Sequence, residues 1–346
     1  MKSTVTIRDI ARKAGVSTAT VSRYINRSGY VSAALQARIG AVIKELDFIP
    51  NRVAISLKTT ATRIIGIVTP ELSNVSLMDT IKAIIDVAVS SGYQPMILSS
   101  GEDIIKERKI LDVLISQQVD GIIIASTGNS GERLLKINDQ RLPVVLFDRD
   151  VCNEENHVVL DAVVNDNFNG SYQMISYLLS LNHRNIAILS SNRDQPHMNL
   201  RVKGYIKAFE DHHVPVDPNL IRKSDLDFKS GYEETKRLMS ESSVKPTAIF
   251  VLNNIAALGV VCALNELHIQ IPQDISICGF GEFKYHSILK PDLSVVYQSS
   301  YELGKIAAEI LMEKINYEGV WKPKKFIIPA NILLRDSCAP PKGRLL

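Results

Sequence analysis

Apolar positions along this chain recur with two different periods, and the change of period divides it. From Met1 to about Phe48 the spacing is helical. Thr6-Ile7-Arg8-Asp9 reads as a capping-box start, in which a hydroxyl and a carboxylate satisfy amides that a helix end leaves open. Ile10, Ala11 and Ala14 form the apolar face behind it, and Gly15 ends it. Ser17 can cap a second helix, Thr18 to about Asn26, whose Val21 and Ile25 lie four apart with polar residues opposite. Ser32 can cap a third, in which Leu35, Ile39, Val42, Ile43 and Leu46 recur at helical spacing. A core of so few side chains is marginal on its own.

Pro50 disfavours helix at Ile49, and the run Asn51 to Lys58 is long enough for about two helical turns. Isolated helices this short are unstable in water, so the run is expected to order only against a partner. From Ile64 onward, short β-branched runs alternate with amphipathic helices. The strand candidates are Ile64–Val68, Gln94–Ser99, Gly121–Ala125, Pro143–Asp148, Asn185–Leu189, Ala248–Leu252 and Ile275–Phe280. Helices are predicted over Leu77–Ser91, Ile104–Gln117, Phe168–Leu181, Arg201–His212, Ser230–Ser240 and Ala256–Leu267. This rhythm predicts parallel sheets with helices on both faces, and its length suggests two lobes with a ligand cleft between them. The division is then a headpiece at 1–49, a hinge at 50–62, a two-lobed domain at 63–340 and a tail at 341–346.

Charge sharpens that division. Of 346 residues with a net charge of +3, the first 60 hold ten Lys and Arg against three Asp and Glu, a net of +7, which leaves −4 for the rest. A basic head on a mildly acidic body suits a head that neutralises phosphates, although charge alone fits a solvated basic face as well. No stretch approaches the roughly 20 apolar residues of a membrane span, and Met1 to Asp9 is too polar for a secretory leader, so a cytoplasmic protein without a membrane partner is expected. Cys152, Cys262, Cys278 and Cys338 form no Cys-x-x-Cys pair, so no metal or disulfide framework is expected and buried thiols are predicted. His183, His212, His213 and His268 fall near helix ends, where solvated or capping roles are expected.

The second helix begins Ser17-Thr18-Ala19-Thr20-Val21-Ser22-Arg23. Small residues at a helix start allow close approach to a major groove, hydroxyls and free amides meet phosphates, and an arginine reaches a guanine edge with two hydrogen bonds. Ser17 is equally a good cap, and none of these features decides alone. Together with Thr6 to Ser17 and Ile49-Pro50-Asn51, this segment resembles the headpiece of the LacI/GalR family. The resemblance continues through Val119-Asp120-Gly121-Ile122-Ile123, Pro143 to Arg149, Asp166-Asn167, Arg201 to Tyr205, Pro246 to Phe250 and Gly279-Phe280.

The resemblance implies an α/β fold, a two-lobed, doubly wound, periplasmic-binding-protein-like effector domain behind a small all-α helix-turn-helix headpiece. It implies a homodimeric regulator, a repressor of carbohydrate-catabolism genes, on pseudo-palindromic operator DNA. Thr18, Ala19 and Arg23 would face bases, while Thr6, Ser17, Ser22, Asn26 and Tyr30 would lie near phosphates or the groove edge, with Thr20 also among the DNA-binding residues. Asn51, Arg52, Ala54 and Leu57 would belong to a hinge helix, with Leu57 as the apolar wedge that unstacks a base step in the minor groove. A sugar cleft would use Arg201, Phe228 and Asn253, with Asn74, Leu77, Asp148, Arg193 and Glu282 around it. Arginine supplies a fork of donors, asparagine donates and accepts, and phenylalanine stacks on an apolar sugar face. Taken without the resemblance, Arg201 fits a surface ion pair, Asn253 a turn cap and Phe228 core packing.

The chain departs from the family pattern at Gly281, where many relatives carry an acidic residue. With Arg193, Arg201 and Lys284 nearby, this loss makes a sugar acid or sugar phosphate an alternative to a neutral sugar. No Gly-x-Gly-x-x-Gly, phosphate loop, Gly-x-Ser-x-Gly or His-Glu-x-x-His motif is present, so neither enzymatic activity nor a cofactor is expected.

Overall fold

The computed structural model describes residues 5–26, 28–48, 61–72, 74–128, 130–151, 159–241, 244–282 and 290–342. The chain divides into two compact units, Met1–Thr62 and Arg63–Leu346. The hinge run Asn51 to Lys58, with Asn51, Arg52, Ala54 and Leu57, lies outside the described residues, as does Cys152.

The first unit holds helices α1 (Ile7–Ala14), α2 (Thr18–Asn26) and α3 (Ala33–Glu45). The Thr6/Asp9 capping box closes α1, and Gly15 takes the left-handed conformation (φ 59°) that ends it without steric penalty. Ser17 Oγ accepts the Thr20 amide at 3.1 Å and so caps α2. Ser32, expected to cap α3, makes no side-chain cap. Ile10, Ala11, Ala14, Val21, Val31, Ile39 and Val42 form the buried core.

In the second unit the order is β1 (Ile64–Thr69), α4 (Val75–Ser90), β2 (Gln94–Ser99), α5 (Ile104–Ser116), β3 (Gly121–Ile124), α6 (Gly131–Asp139), β4 (Val144–Phe147) and β5 (Asp161–Asn165). There follow α7 (Asn167–Ser180), β6 (Ile186–Ser191), α8 (Pro196–Asp211), β7 (Ile221–Ser224), α9 (Phe228–Glu241), β8 (Ala248–Val251), α10 (Asn254–Glu266) and β9 (Ser276–Phe280). The order closes with β10 (Ser294–Tyr297), α11 (Ser300–Ile315), β11 (Lys325–Ile328) and β12 (Asn331–Leu333). Two six-stranded sheets result, ordered β11-β5-β4-β3-β1-β2 and β12-β10-β9-β8-β6-β7. Every pairing is parallel except that of β10 with β12.

Strand membership shows three crossings between lobes, after β5, after β10 and after β11, so Asn165, Gln298 and Ser300 stand at the carboxyl ends of strands where the sheets face each other. The central strands are buried on both faces, as parallel strands under two helical layers must be. One charged pair penetrates the first lobe: Lys314 Nζ lies 2.7 Å from Asp161 Oδ2, with both side chains buried. Of the thiols, Cys278 is buried, but Cys262 is exposed, because its place on α10 faces solvent rather than the sheet. His183, expected to be solvated or capping, is fully buried between Thr247 Oγ1 (2.8 Å) and the Ala339 carbonyl (3.0 Å), which tie the C-terminal segment to the second lobe. No helix among the described residues is long and apolar enough to cross a membrane.

Candidate functional sites

In the first unit, burying Val21 against α1 and α3 leaves the opposite side of α2 to solvent. Ser17, Thr18, Ala19 and Arg23 are exposed there, and Tyr30 projects from the following loop with 90% of its surface accessible. Thr20 and Ser22 are half-buried beside them. Two of the hydroxyls are engaged locally: Ser17 Oγ lies 2.9 Å from Thr20 Oγ1, and Thr6 Oγ1 donates to Asp9 at 2.6 Å. Thr6 therefore acts in the first instance as a cap. The side chain of Asn26 lies outside the described residues.

Within the second unit, a cavity of about 420 Å³ opens between the carboxyl ends of the two sheets. From the first lobe it is lined by Asn74, Leu77, Glu102, Asp148 and Arg149, and from the second by Arg193, Gln195, His197, Arg201, Asn253 and Phe280, among others. Arg201 is 5% exposed. Its Nε donates to Asn167 Oδ1 at 2.8 Å and one terminal nitrogen to the Leu252 carbonyl at 2.7 Å, while the guanidinium carbon sits 3.6 Å from the Phe280 ring centre. Burial lowers its pKa to about 10, so it stays charged at neutral pH. Asn253 caps α10, its Oδ1 accepting the amides of Ile255 and Ala256, which turns its carboxamide nitrogen to other use. Asn74 caps α4 in the same way through Ser76. Asp148 lies at the end of β4 with φ 62°, a left-handed residue held at the cleft.

Arg149 forms a two-pronged ion pair with Glu102 at 2.5 and 3.0 Å. Burial opposes the charge of Arg149, yet the Glu102 contacts raise its pKa above the ordinary value. Arg193 approaches the same carboxylate from the second lobe at 3.9 Å. His197 is 5% exposed, and burial together with the charges of Arg149 and Arg201 holds its pKa well below the usual imidazole range.

Residues 6–51 match the family model of bacterial regulatory proteins of the lacI family, and residues 175–338 match that of the periplasmic binding protein-like domain. The HTH-type transcriptional repressor PurR of Serratia proteamaculans (strain 568) is 31% identical over 311 residues, covering 90% of each chain. This chain belongs to the LacI family. A second PurR relative of this LacI-family chain, from Pectobacterium carotovorum, is 30% identical over the same share. Among solved structures, a lac repressor dimer bound to operator and the anti-inducer ONPF aligns with a TM-score of 0.84 at 26% identity, over 97% of this chain and 99% of that one. A LacI-family regulator from Enterococcus faecium with bound ribose aligns at 0.71 and 26%, over 81% and 100%. The LacI-family chain is thus a DNA-binding transcriptional regulator and not an enzyme.

Within this LacI-family cleft, Asn74, Leu77, Asp148, Arg193, Arg201 and Asn253 converge, and two expected residues do not. Phe228 begins α9, is 46% exposed and lies outside the lining; Phe280, at the end of β9, supplies the aromatic surface instead. Glu282 also lies outside, because its carboxylate is taken by Arg335 in a two-pronged pair at 2.8 and 3.1 Å. Arg149, Glu102, His197 and Gln298 went unnoticed in the sequence. His197 had a readable signal: Pro196 is a favoured first helical residue, and starting α8 there sets His197 four residues before Arg201 on one helix face.

Proposed function

We propose that this protein is a repressor that binds a pseudo-palindromic operator as a homodimer in the cytosol, and whose operator affinity is set by a small hydroxylated effector held between its lobes. The observation that carries the reading is the face of α2: Thr18, Ala19 and Arg23 are exposed side by side on a helix whose other side is fixed by Val21 in the headpiece core. An exposed arginine at that position suits the two-pronged reading of a guanine edge. The net +7 of the first 60 residues adds sequence-independent attraction to phosphates. Asn51, Arg52, Ala54 and Leu57 are read as the hinge that enters the minor groove between two headpieces.

The effector half of the reading rests on the composition of the cleft. Two lobes joined by crossover segments can change their angle when a ligand bridges them, and the differential affinity of ligand for the two angles is what shifts operator affinity. Carbohydrate-catabolism genes remain the proposed targets, since Asp148, Asn253 and Gln298 offer the donors and acceptors that hydroxyl groups need.

Selection from a random duplex pool by the full-length protein tests the DNA half. Wild type is expected to enrich a palindromic site with affinity falling steeply with salt. Arg23→Ala should relax preference at one base pair per half-site by about 1–3 kcal/mol. Enrichment of no motif, or an unchanged motif with Arg23→Ala, overturns the reading.

A further inference from the structure

We propose that the start of α8, with His197 and Arg201, forms an oxyanion subsite that takes the carboxylate or phosphate of an acidic, hydroxylated effector. The inference rests on the reading of the cleft as the effector site. Three independent observations converge on one corner of it. The 16-residue helix α8 begins in the cleft with no side-chain cap from its N-cap residue Gln195; Pro196 has no amide to donate, which leaves the amides of His197 and Met198 and the positive end of the dipole to face an anion. By contrast, α10, which also starts at the cleft, is capped by Asn253.

Second, His197 Nδ1 is buried and has no hydrogen-bond partner, and Arg149 Nε, which reaches the cleft from the first lobe, shares that condition. A buried polar nitrogen without a partner costs about 1–3 kcal/mol, a cost that a bound acceptor removes. Third, Arg201 is a buried cation with no carboxylate within ion-pair distance among the described residues. Its hydrogen bonds go to neutral oxygens and to the Met198 sulfur. Buried charges are ordinarily paired, and here the acidic group that acts on Arg201, Asp148, stays beyond ion-pair distance among the described residues.

The carboxylates of the lining do not supply it. Glu102 is paired with Arg149, Asp225 accepts from Asn192 Nδ2 at 2.8 Å, Asp227 accepts the Ser230 amide at 2.7 Å, and Glu71 is exposed. Asp148 faces Arg201 and Arg149 but pairs with neither within 4.0 Å, which leaves it to accept from ligand hydroxyls. Gly281 is left-handed at φ 96°, and a Cβ placed there would lie 3.1 Å from Oε1 of Gln298, a residue of the lining.

The subsite has a protonic signature. His197 is surrounded by Arg201 on its own helix and by Arg149 with its partner Glu102 and Asp148 on the facing lobe, and it is neutral in the free protein. A bound oxyanion offsets the two guanidinium charges and gives the imidazole an acceptor, so the ring takes up a proton. Affinity for a fixed-charge anion then rises as pH falls, by up to about tenfold per pH unit.

Titration calorimetry of the full-length protein, in two buffers of different ionisation enthalpy from about pH 5.5 to about 8, tests this with D-gluconate, D-glucose 6-phosphate, inorganic phosphate, D-glucose and D-ribose. An acidic probe is expected to bind at least about tenfold more tightly than the neutral sugars, with uptake approaching one proton for gluconate, whose charge is fixed over this range. The ranking of gluconate against the phosphates separates the two sources of oxyanion. His197→Asn, which keeps a side-chain nitrogen near the Nδ1 position, should abolish the proton uptake while thermal unfolding stays cooperative. Tightest binding by a neutral sugar, no binding of any acidic probe at millimolar concentration, or gluconate-linked proton uptake that survives His197→Asn overturns the subsite and leaves the effector reading standing. A probe whose affinity is indifferent to both His197→Asn and Asn253→Ala binds outside the cleft and overturns that reading as well.

Discussion

Removing the cation of the buried pair in the first lobe should be among the most damaging single changes in this protein. Asp161 is fully buried at the start of β5, and its carboxylate accepts from Lys314 Nζ at 2.7 Å, Trp321 Nε1 at 2.8 Å and the Lys324 amide at 3.0 Å. Lys314 in turn donates to the Val144 carbonyl at 3.2 Å, so one ammonium joins α11 to β4 and β5. Lys314→Met keeps the length of the aliphatic stem and strands the carboxylate with two neutral donors. Breaking one partner of a buried pair costs about 3–5 kcal/mol, and the surviving donors place this case near the lower end. For a large domain that corresponds to a fall in Tm of roughly 6–12 °C. Because β5 runs directly to Asn165 at the cleft, ligand-induced stabilisation should weaken in parallel. Differential scanning calorimetry reads the first effect. Adding Asp161→Asn to Lys314→Met should recover part of the loss, since a neutral amide needs no counter-ion. A Tm change under about 2 °C for Lys314→Met, or no recovery in the double variant, would refute the reasoning.

Two further outcomes follow from the cores and from His197. Ile39→Ala empties a fully buried position in the small headpiece core and should cost about 2–5 kcal/mol there, enough to unfold it; DNA binding should vanish while the calorimetric transition of the second unit stays in place, and retained operator affinity would contradict the packing. His197 has a lowered pKa when folded, so the unfolded chain binds more protons below the ordinary imidazole value. Ligand-free stability is therefore complete above about pH 6.5 and lost on acidification below it, at up to about 1.4 kcal/mol per pH unit. His197→Asn should flatten that slope in urea titrations between about pH 5 and 7, and an unchanged slope would place the proton elsewhere.

The legible parts of the sequence were those where one local rule acts alone. Thr6, Asp9 and Gly15 bound α1 by capping chemistry, and the largely apolar runs of β1, β3, β4, β6, β8 and β9 announce strands buried on both faces. The strands β5, β7, β10, β11 and β12 were not among those predicted. β7 reads Ile-Arg-Lys-Ser because it is an edge strand, and β11, another edge, carries exposed Phe326 and Ile327. The helices α6 and α11 also fall outside the predicted elements.

For the site, the sequence alone determined the inventory: a basic head, a helix start of small hydroxylated residues with Arg23, and a set of polar residues that family resemblance points toward a cleft. Which of them meet was decided by the tertiary structure. Arg201 is compatible by itself with a surface ion pair, and only its burial against Phe280, Asn167 and Leu252 makes it a charge in search of a counter-ion. Phe228 and Phe280 are equal candidates in one dimension; the fold brings Phe280, at the end of β9, into the cleft lining and leaves Phe228, at the start of α9, outside it. His197 and Arg149 lie 48 positions apart and come from different lobes, so no periodicity links them. Their common property, buried nitrogens without partners, exists only once the chain has folded and withdrawn water from both.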